Sequence, residues 1–223
     1  LAPEPSATRE PSPAPTETDV TMAETLTPTS TPTPEPPLQG LTLTPELTVT
    51  DMASCDILPE GPFLDIWQSD SSRQATLGCP TSLHPRITPA AWEVETAYQP
   101  FENGAMVWSS KMGWYEQPVV YVLYPSGTYR RYEDHYQPGD PALAITPPAG
   151  LVAPSFGFGK IWDENSDVRD ALGWATAPEV PGAGRFQLFT NGAMLWLSQR
   201  GETYVFTNTS NTYTVETTPA FAD

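Results

Sequence analysis

The sequence predicts a mainly β fold with short helices: two tandem hairpin-containing repeats packed into one body, preceded by an extended Pro/Thr-rich arm. Three observations carry this. The stretch Phe101-Glu102-Asn103-Gly104-Ala105-Met106-Val107-Trp108 returns as Phe189-Thr190-Asn191-Gly192-Ala193-Met194-Leu195-Trp196. Its flanks return in the same order. Composition changes abruptly near residue 55. Self-similarity in fixed order marks an architecture in which each unit buries its apolar face against a neighbour. The expected layout is an arm over 1–54, a first repeat with insertions over 55–150 and a second repeat over 151–223.

Residues 1–50 hold 11 prolines and 13 threonines, and no aromatic residue precedes Phe63. Such a segment buries too little apolar surface to offset its ordering entropy and reads as an extended stalk, a candidate for O-glycosylation. Within it, Leu41, Leu43, Leu47 and Val49 alternate with Thr42, Thr44, Thr48 and Thr50. That period of two suits an edge strand, and Pro45 rules out a central one. The four aliphatic residues are therefore read as a partner-contact arm that adds to a sheet edge, with a neighbouring copy as the favoured acceptor.

The two cysteines, Cys55 and Cys79, stand at the start of the aromatic-rich part. In an exported chain they would pair, closing a loop worth about 3 kcal/mol of chain entropy. The chain opens at Leu1 rather than Met, which reads as a processed or trimmed start. No apolar run approaches the ~18 residues of a membrane helix.

In the first repeat Phe63-Leu64-Asp65-Ile66-Trp67 matches Phe158-Gly159-Lys160-Ile161-Trp162, and each tryptophan is followed ten residues later by Leu-Gly. A short helix is expected before each Leu-Gly, capped at Asp70 or nearby serines in one copy and at Asn165 or Ser166 in the other. Gly78 and Gly173 end these helices at positive φ. Each Asn-Gly then supplies the two positive φ angles of a type I′ hairpin. Tyr121-Val122-Leu123 aligns with Tyr204-Val205-Phe206 as a further strand. The offset between copies shrinks along the chain, which places insertions in the first copy at about 80–97 and 109–118. The matched pairs Trp67/Trp162 and Trp108/Trp196 are expected in the core of each unit. Trp92, Trp114 and Tyr115 fall in the insertions and are candidate glycan or partner contacts.

The net charge is −17. This disfavours nucleic acid and anionic lipid, both of which require a basic face. Asp163-x-Asn165-x-Asp167 lacks the Gly and Glu that a calcium loop needs further on, and reads as helix capping. His84 and His135 have no ligand-spaced partners. No nucleophile elbow or dinucleotide fingerprint occurs, and no acid stands out from its surroundings. The sequence therefore points to a non-enzyme with no cofactor or metal.

The segment Leu77-Gly78-Cys79-Pro80-Thr81-Ser82 running into Tyr98-Gln99-Pro100 and the first hairpin is similar to the LGFP repeat. So is Leu172-Gly173-Trp174-Ala175 running into Phe186-Gln187-Leu188 and the second hairpin. Neither copy has Phe at the third position, and Ala175 stands where the repeat has Pro. The pattern also resembles exported proteins of filamentous thermophilic bacteria that carry such repeats behind a Thr-Pro stalk. The resemblance implies an extracellular or cell-surface location and a binding or scaffolding role. The function expected first is a structural or assembly subunit of a surface complex or filament, contacting other copies or other surface proteins through its arm. The alternative is a carbohydrate or cell-wall binding module that uses the loop aromatics.

Overall fold

The computed structural model describes residues 55–82, 86, 88–111 and 117–221. The arm residues Leu41, Leu43, Leu47 and Val49 lie outside the described residues, as do His84, Trp114 and Tyr115.

Two helices and four strands follow one another, and then the same series comes again. The first set is α1 (Pro62–Gln68), α2 (Ser71–Leu77), β1 (Trp92–Phe101), β2 (Gly104–Ser109), β3 (Val119–Leu123) and β4 (Tyr129–Glu133). The second is α3 (Phe156–Glu164), α4 (Ser166–Leu172), β5 (Val180–Phe189), β6 (Gly192–Leu197), β7 (Glu202–Thr207) and β8 (Thr212–Thr217). All eight strands form one antiparallel sheet in the order β4-β3-β2-β1-β5-β6-β7-β8. The mainly β expectation holds, with four short helices rather than two. α1 and α3 were not legible because a helix of two turns is too short to show a period.

The middle of the sheet is the β1–β5 pairing, and its central residue pair is Glu95 opposite Ala183. These two are 88 positions apart, as are Asn103 and Asn191. The halves therefore meet about an approximate two-fold axis. The sheet curls until its outer strands touch on that same axis, where Thr128 bridges Thr212. Tyr129 N donates to Asn211 O at 2.9 Å and Tyr213 N to Gly127 O at 2.8 Å.

Curling creates an inner core shared by both halves. It includes Val107, Tyr121 and Leu123 from one side and Phe186, Leu195 and Phe206 from the other. Tyr121 stacks on Phe206 with ring centroids 4.3 Å apart. On the outer face the helices are exchanged. Phe63, Ile66, Trp67 and Leu77 of α1 and α2 bury against Phe189, Met194 and Val205 of the second half. Phe158, Trp162, Val168 and Leu172 of α3 and α4 bury against Phe101, Met106 and Val122 of the first. Trp67 and Trp162 are core residues as expected, but each serves the other half's strands.

The Asn-Gly hairpins lock this exchange, and their geometry corrects the type I′ expectation. Glu102-Asn103 and Thr190-Asn191 form the two-residue loops, none of these four residues has positive φ, and each glycine begins the outgoing strand. The loop amides are used outward. Glu102 N donates to Trp174 O and Asn103 N to Leu172 O, while Thr190 N donates to Cys79 O and Asn191 N to Leu77 O. Glycine is needed here for close approach rather than for a primed turn. A Cβ at Gly104 would overlap Leu123 O and stand 3.0 Å from Leu172 Cδ2. One at Gly192 would overlap Phe206 O and stand 2.8 Å from Leu77 Cδ2.

The Leu-Gly corners match as well. Gly78 (φ 73, ψ −154) and Gly173 (φ 71, ψ −149) end α2 and α4 in a region essentially reserved for glycine. The Trp67 indole donates to Gly78 O at 2.9 Å and the Trp162 indole to Gly173 O at 2.7 Å. Asp70 caps α2 by accepting from Ser72 N at 2.8 Å. Asn165 does not cap α4, because its side chain turns back and donates to Ile161 O at 2.8 Å, closing the end of α3. The disulfide joins Cys55 and Cys79 and ties the start of the described chain to the end of α2.

Candidate functional site

Beside Trp108 a cavity of about 540 Å3 opens between β1 and β2 of the first half and the starts of α3 and β5 of the second. Its walls carry Glu95, Trp108, Asp134, Tyr136, Phe156 and Glu179. Its size lies within the range of small-ligand sites, and its mix of aromatic and polar groups fits them too.

Trp108 projects from β2, opposite Ala97 of β1. It was expected in the core, but it is only half-buried, and its indole donates to Asp134 Oδ2 at 2.8 Å. Asp134 follows β4 and is fixed at both oxygens, since Oδ1 accepts from Tyr136 N at 2.9 Å. The carboxylate also lies against the first turn of α3, where a Cβ on Gly157 would stand 2.6 Å from either oxygen. A residue larger than glycine there would displace Asp134.

Glu179 stands just before β5 and is the free member of the pair. Its Oε2 is enclosed by protein and takes no hydrogen bond. Burial, and secondarily the charge of Asp134, push its carboxyl up to about 7 from an ordinary 4.5. A buried acceptor without a donor is uncommon and asks for an explanation.

Phe156 is the other exceptional residue. It is 60% exposed, and its backbone sits at φ 49. The corresponding position before α1 is Gly61, at φ 52. The first half thus places a glycine where glycine belongs, and the second holds a bulky aromatic at a similarly positive φ. The Phe156 ring meets the Tyr136 ring edge-on, with centroids 5.5 Å apart. Strain of this kind persists where the surroundings impose it and concentrates at functional sites.

A second hollow, about 800 Å3, occupies the corresponding place on the other half, beside Trp196. There Arg185 faces Trp196 across β5 and β6, as Ala97 faces Trp108. Arg185 Nη2 lies 3.0 Å from Glu93 Oε1, and its guanidinium sits 5.7 Å over the Phe221 ring. Thr218 takes the place of Asp134: its amide donates to Gly201 O as that of Asp134 donates to Pro118 O. The Trp196 indole accordingly has no acid to bond, and its Nε1 is buried without a partner.

Of the residues singled out in the sequence, Trp92 begins β1, opposite Phe186, and does not line the Asp134 cavity. It sits in a regular strand rather than an inserted loop, because β1 and β5 are equally long and correspond throughout. His135 is exposed, with Nε2 3.7 Å from Glu133 Oε2. Cys55 and Cys79 serve the fold. Asp134, Tyr136, Phe156 and Glu179 were not singled out. Two positions upstream of the matched Phe63 and Phe158, the two copies set Gly61 against Phe156, a visible mismatch. Nothing in the sequence pairs Asp134 with Glu179, which lie on irregular segments 45 residues apart.

No family model, curated protein or solved structure matches this chain. The likeness to LGFP repeats rests on the motif residues alone.

Proposed function

We propose that the folded body is a carbohydrate-binding module, with the Asp134–Glu179 cavity as its binding site. The observation that carries this reading is Phe156, an exposed ring held at positive φ beside Tyr136 and an unpartnered carboxyl. Aromatic faces with nearby carboxylates are the chemistry that grips a sugar ring, by apolar contact below and hydrogen bonds at the rim. Both oxygens of Asp134 are already committed, so Glu179 alone of the pair is free to read a ligand. That favours binding over two-carboxyl hydrolysis, which needs both groups available. In this reading the halves are two LGFP-like repeats, and the Pro/Thr-rich arm is a stalk that presents the module outside the cell.

The test is retention of the protein on cell-wall polysaccharide and on arrayed oligosaccharides. Wild type is retained, and Phe156→Gly and Tyr136→Ala lose retention while keeping their circular dichroism and melting transition. Retention unchanged in both variants removes the cavity as the site.

The assembly reading has its own support in the sheet. Among the described residues the outer strands meet only near Thr128 and Thr212, so the remaining edges of β4 and β8 are open, and Val215 on β8 is 42% exposed. An open edge is a template for an added strand. Deleting residues 1–50 leaves oligomeric state and melting temperature unchanged if the arm is a tether, and alters them if the arm completes an edge.

A further inference from the structure

We propose that the sugar taken by the cavity beside Trp108 is an amino sugar with a free amine, its ammonium seated against Glu179. This rests on the carbohydrate reading and sharpens it to a ligand class. Three observations carry it.

First, the charged residues lining the cavity are Glu95, Asp134 and Glu179, and none of the lining residues is cationic. Lys160, Arg130 and His135 each have an acidic partner outside the cavity. Lys160 donates to Asp140 at 2.9 Å and to His135 O at 3.2 Å, Arg130 pairs with Asp167, and His135 faces Glu133.

Second, the other half shows what fills such a place. Arg185 stands at the position of Ala97, opposite the equivalent tryptophan. Its guanidinium is held between the Glu93 carboxylate and the Phe221 ring. The protein supplies its own cation to the second hollow. In the first, Ala97 and Pro181 stand where the second has Arg185 and Glu93, so that ion pair is absent, and the carboxyls and rings present, those of Asp134, Glu179, Tyr136 and Phe156, come from other positions.

Third, Glu179 Oε2 is enclosed and lacks a donor. Because Oε2 itself is closed off, an ammonium in the cavity engages the lining Glu179 carboxylate once the side chain turns toward it, in a charge-assisted bond. It also gains from the adjacent ring faces of Phe156 and Tyr136, because cations are drawn to aromatic quadrupoles. Neutralising one carboxyl relieves the repulsion between Glu179 and Asp134. An N-acetyl group on the same sugar nitrogen offers a neutral donor, adds bulk and leaves the acidic pair uncompensated.

The test uses the whole chain and two probes, a β-1,4-linked glucosamine trisaccharide and its fully N-acetylated form, titrated calorimetrically at one pH and ionic strength. The free-amine trisaccharide should bind at least about tenfold more tightly, as one charge-assisted bond warrants. Glu179→Gln should bring the two within about threefold of each other. That substitution hardly alters the net charge, so non-specific attraction of a cation to an acidic protein would survive it and overturn the proposal. Equal binding of both probes overturns the amine assignment and leaves the carbohydrate reading standing. Binding of neither overturns both. Binding of a lysine tripeptide but neither trisaccharide shows a cation site and overturns the assignment to sugar. Ala97→Arg provides a second variant. If it folds, it should place a guanidinium in the cavity as in the other half and abolish binding of the free-amine probe.

Discussion

The two halves of the body agree in their framework and differ in their hollows. Both exchange a helix pair, both seat a tryptophan indole on a Leu-Gly corner, and both press an Asn-Gly glycine against a carbonyl of the following strand. The hollow beside Trp196 is internally balanced, with Arg185 paired to Glu93. The hollow beside Trp108 holds an acid pair, an unpartnered Oε2 and a phenylalanine at positive φ. Each hollow thus holds one unpartnered polar atom, Glu179 Oε2 in one and Trp196 Nε1 in the other, but only the first joins it to an acid pair and a strained backbone. A fold with two copies of a framework can keep one for stability and let the other carry the costs of a site.

The largest effect should come from the framework itself. Gly104→Ala and Gly192→Ala each force a methyl into a backbone carbonyl oxygen and against a buried leucine of the exchanged helices. Each should lose more than about 3 kcal/mol of stability, since backbone cannot yield as a flexible side chain can. Denaturant unfolding should give large losses at both sites, with the greater one at Gly104, which also sits at φ 133. If one is tolerated and the other is not, the halves do not share a framework and the comparison fails at its base.

A smaller effect should separate the halves by pH. The folded-state carboxyl of Glu179 is raised to about 7, while the unfolded one titrates near 4.5. The native state therefore binds more protons than the unfolded chain between these values, and stability falls as pH rises through that window. Below 4.5 the carboxyl is protonated in both states and costs nothing. Above 7 the full penalty is present, on the order of 2 kcal/mol once some solvent screening is allowed. Subtracting the Glu179→Gln stability profile from that of wild type should show this decline and flatten on either side. A featureless difference means that Glu179 is not held in an unfavourable place.

How much of this was legible in the sequence follows from the range of the interactions involved. The hairpins and the helix stops at Gly78 and Gly173 are set by residues adjacent in the chain, and they show as repeated words. The β1–β5 pairing and the helix exchange depend on which copy's leucine meets which copy's glycine, and identical words cannot say. Leu77 meets Gly192 and Leu172 meets Gly104, so a reader who keeps each repeat to itself places every helix on the wrong strands. The type I′ expectation failed for a related reason, since the loop amides of Glu102, Asn103, Thr190 and Asn191 bond to the other half. The candidate site was hidden differently. Its residues lie where the two copies differ by substitution, at Gly61 against Phe156 and at Ala97 against Arg185, whereas the unmatched aromatics Trp92, Trp114 and Tyr115 stand out in the sequence through differences in length.

The smallest effect concerns that disagreement most directly. A non-glycine residue at φ 49 carries roughly 1–2 kcal/mol of backbone strain. Replacing Phe156 by glycine removes that strain and restores the residue type found at the corresponding Gly61. Against this stand a gain in freedom of the unfolded chain, worth about 0.5–1 kcal/mol, and the loss of one edge-on contact with Tyr136. Since the ring is 60% exposed, little buried surface is lost with it. The balance is a protein as stable as wild type or up to about 1 kcal/mol more stable, which at this size is a rise of a few degrees in melting temperature. The same variant should lose saccharide binding. The matching test on the other half is Gly61→Ala, which introduces strain and sets a Cβ 3.0 Å from the Phe221 ring, so it should lower stability by about 1–2 kcal/mol. Opposite signs at two corresponding positions would show that the second half sacrifices stability at Phe156 to present an aromatic ring. If Phe156→Gly is the less stable protein, the ring is there for packing, and the inequality of the two hollows no longer points to a ligand.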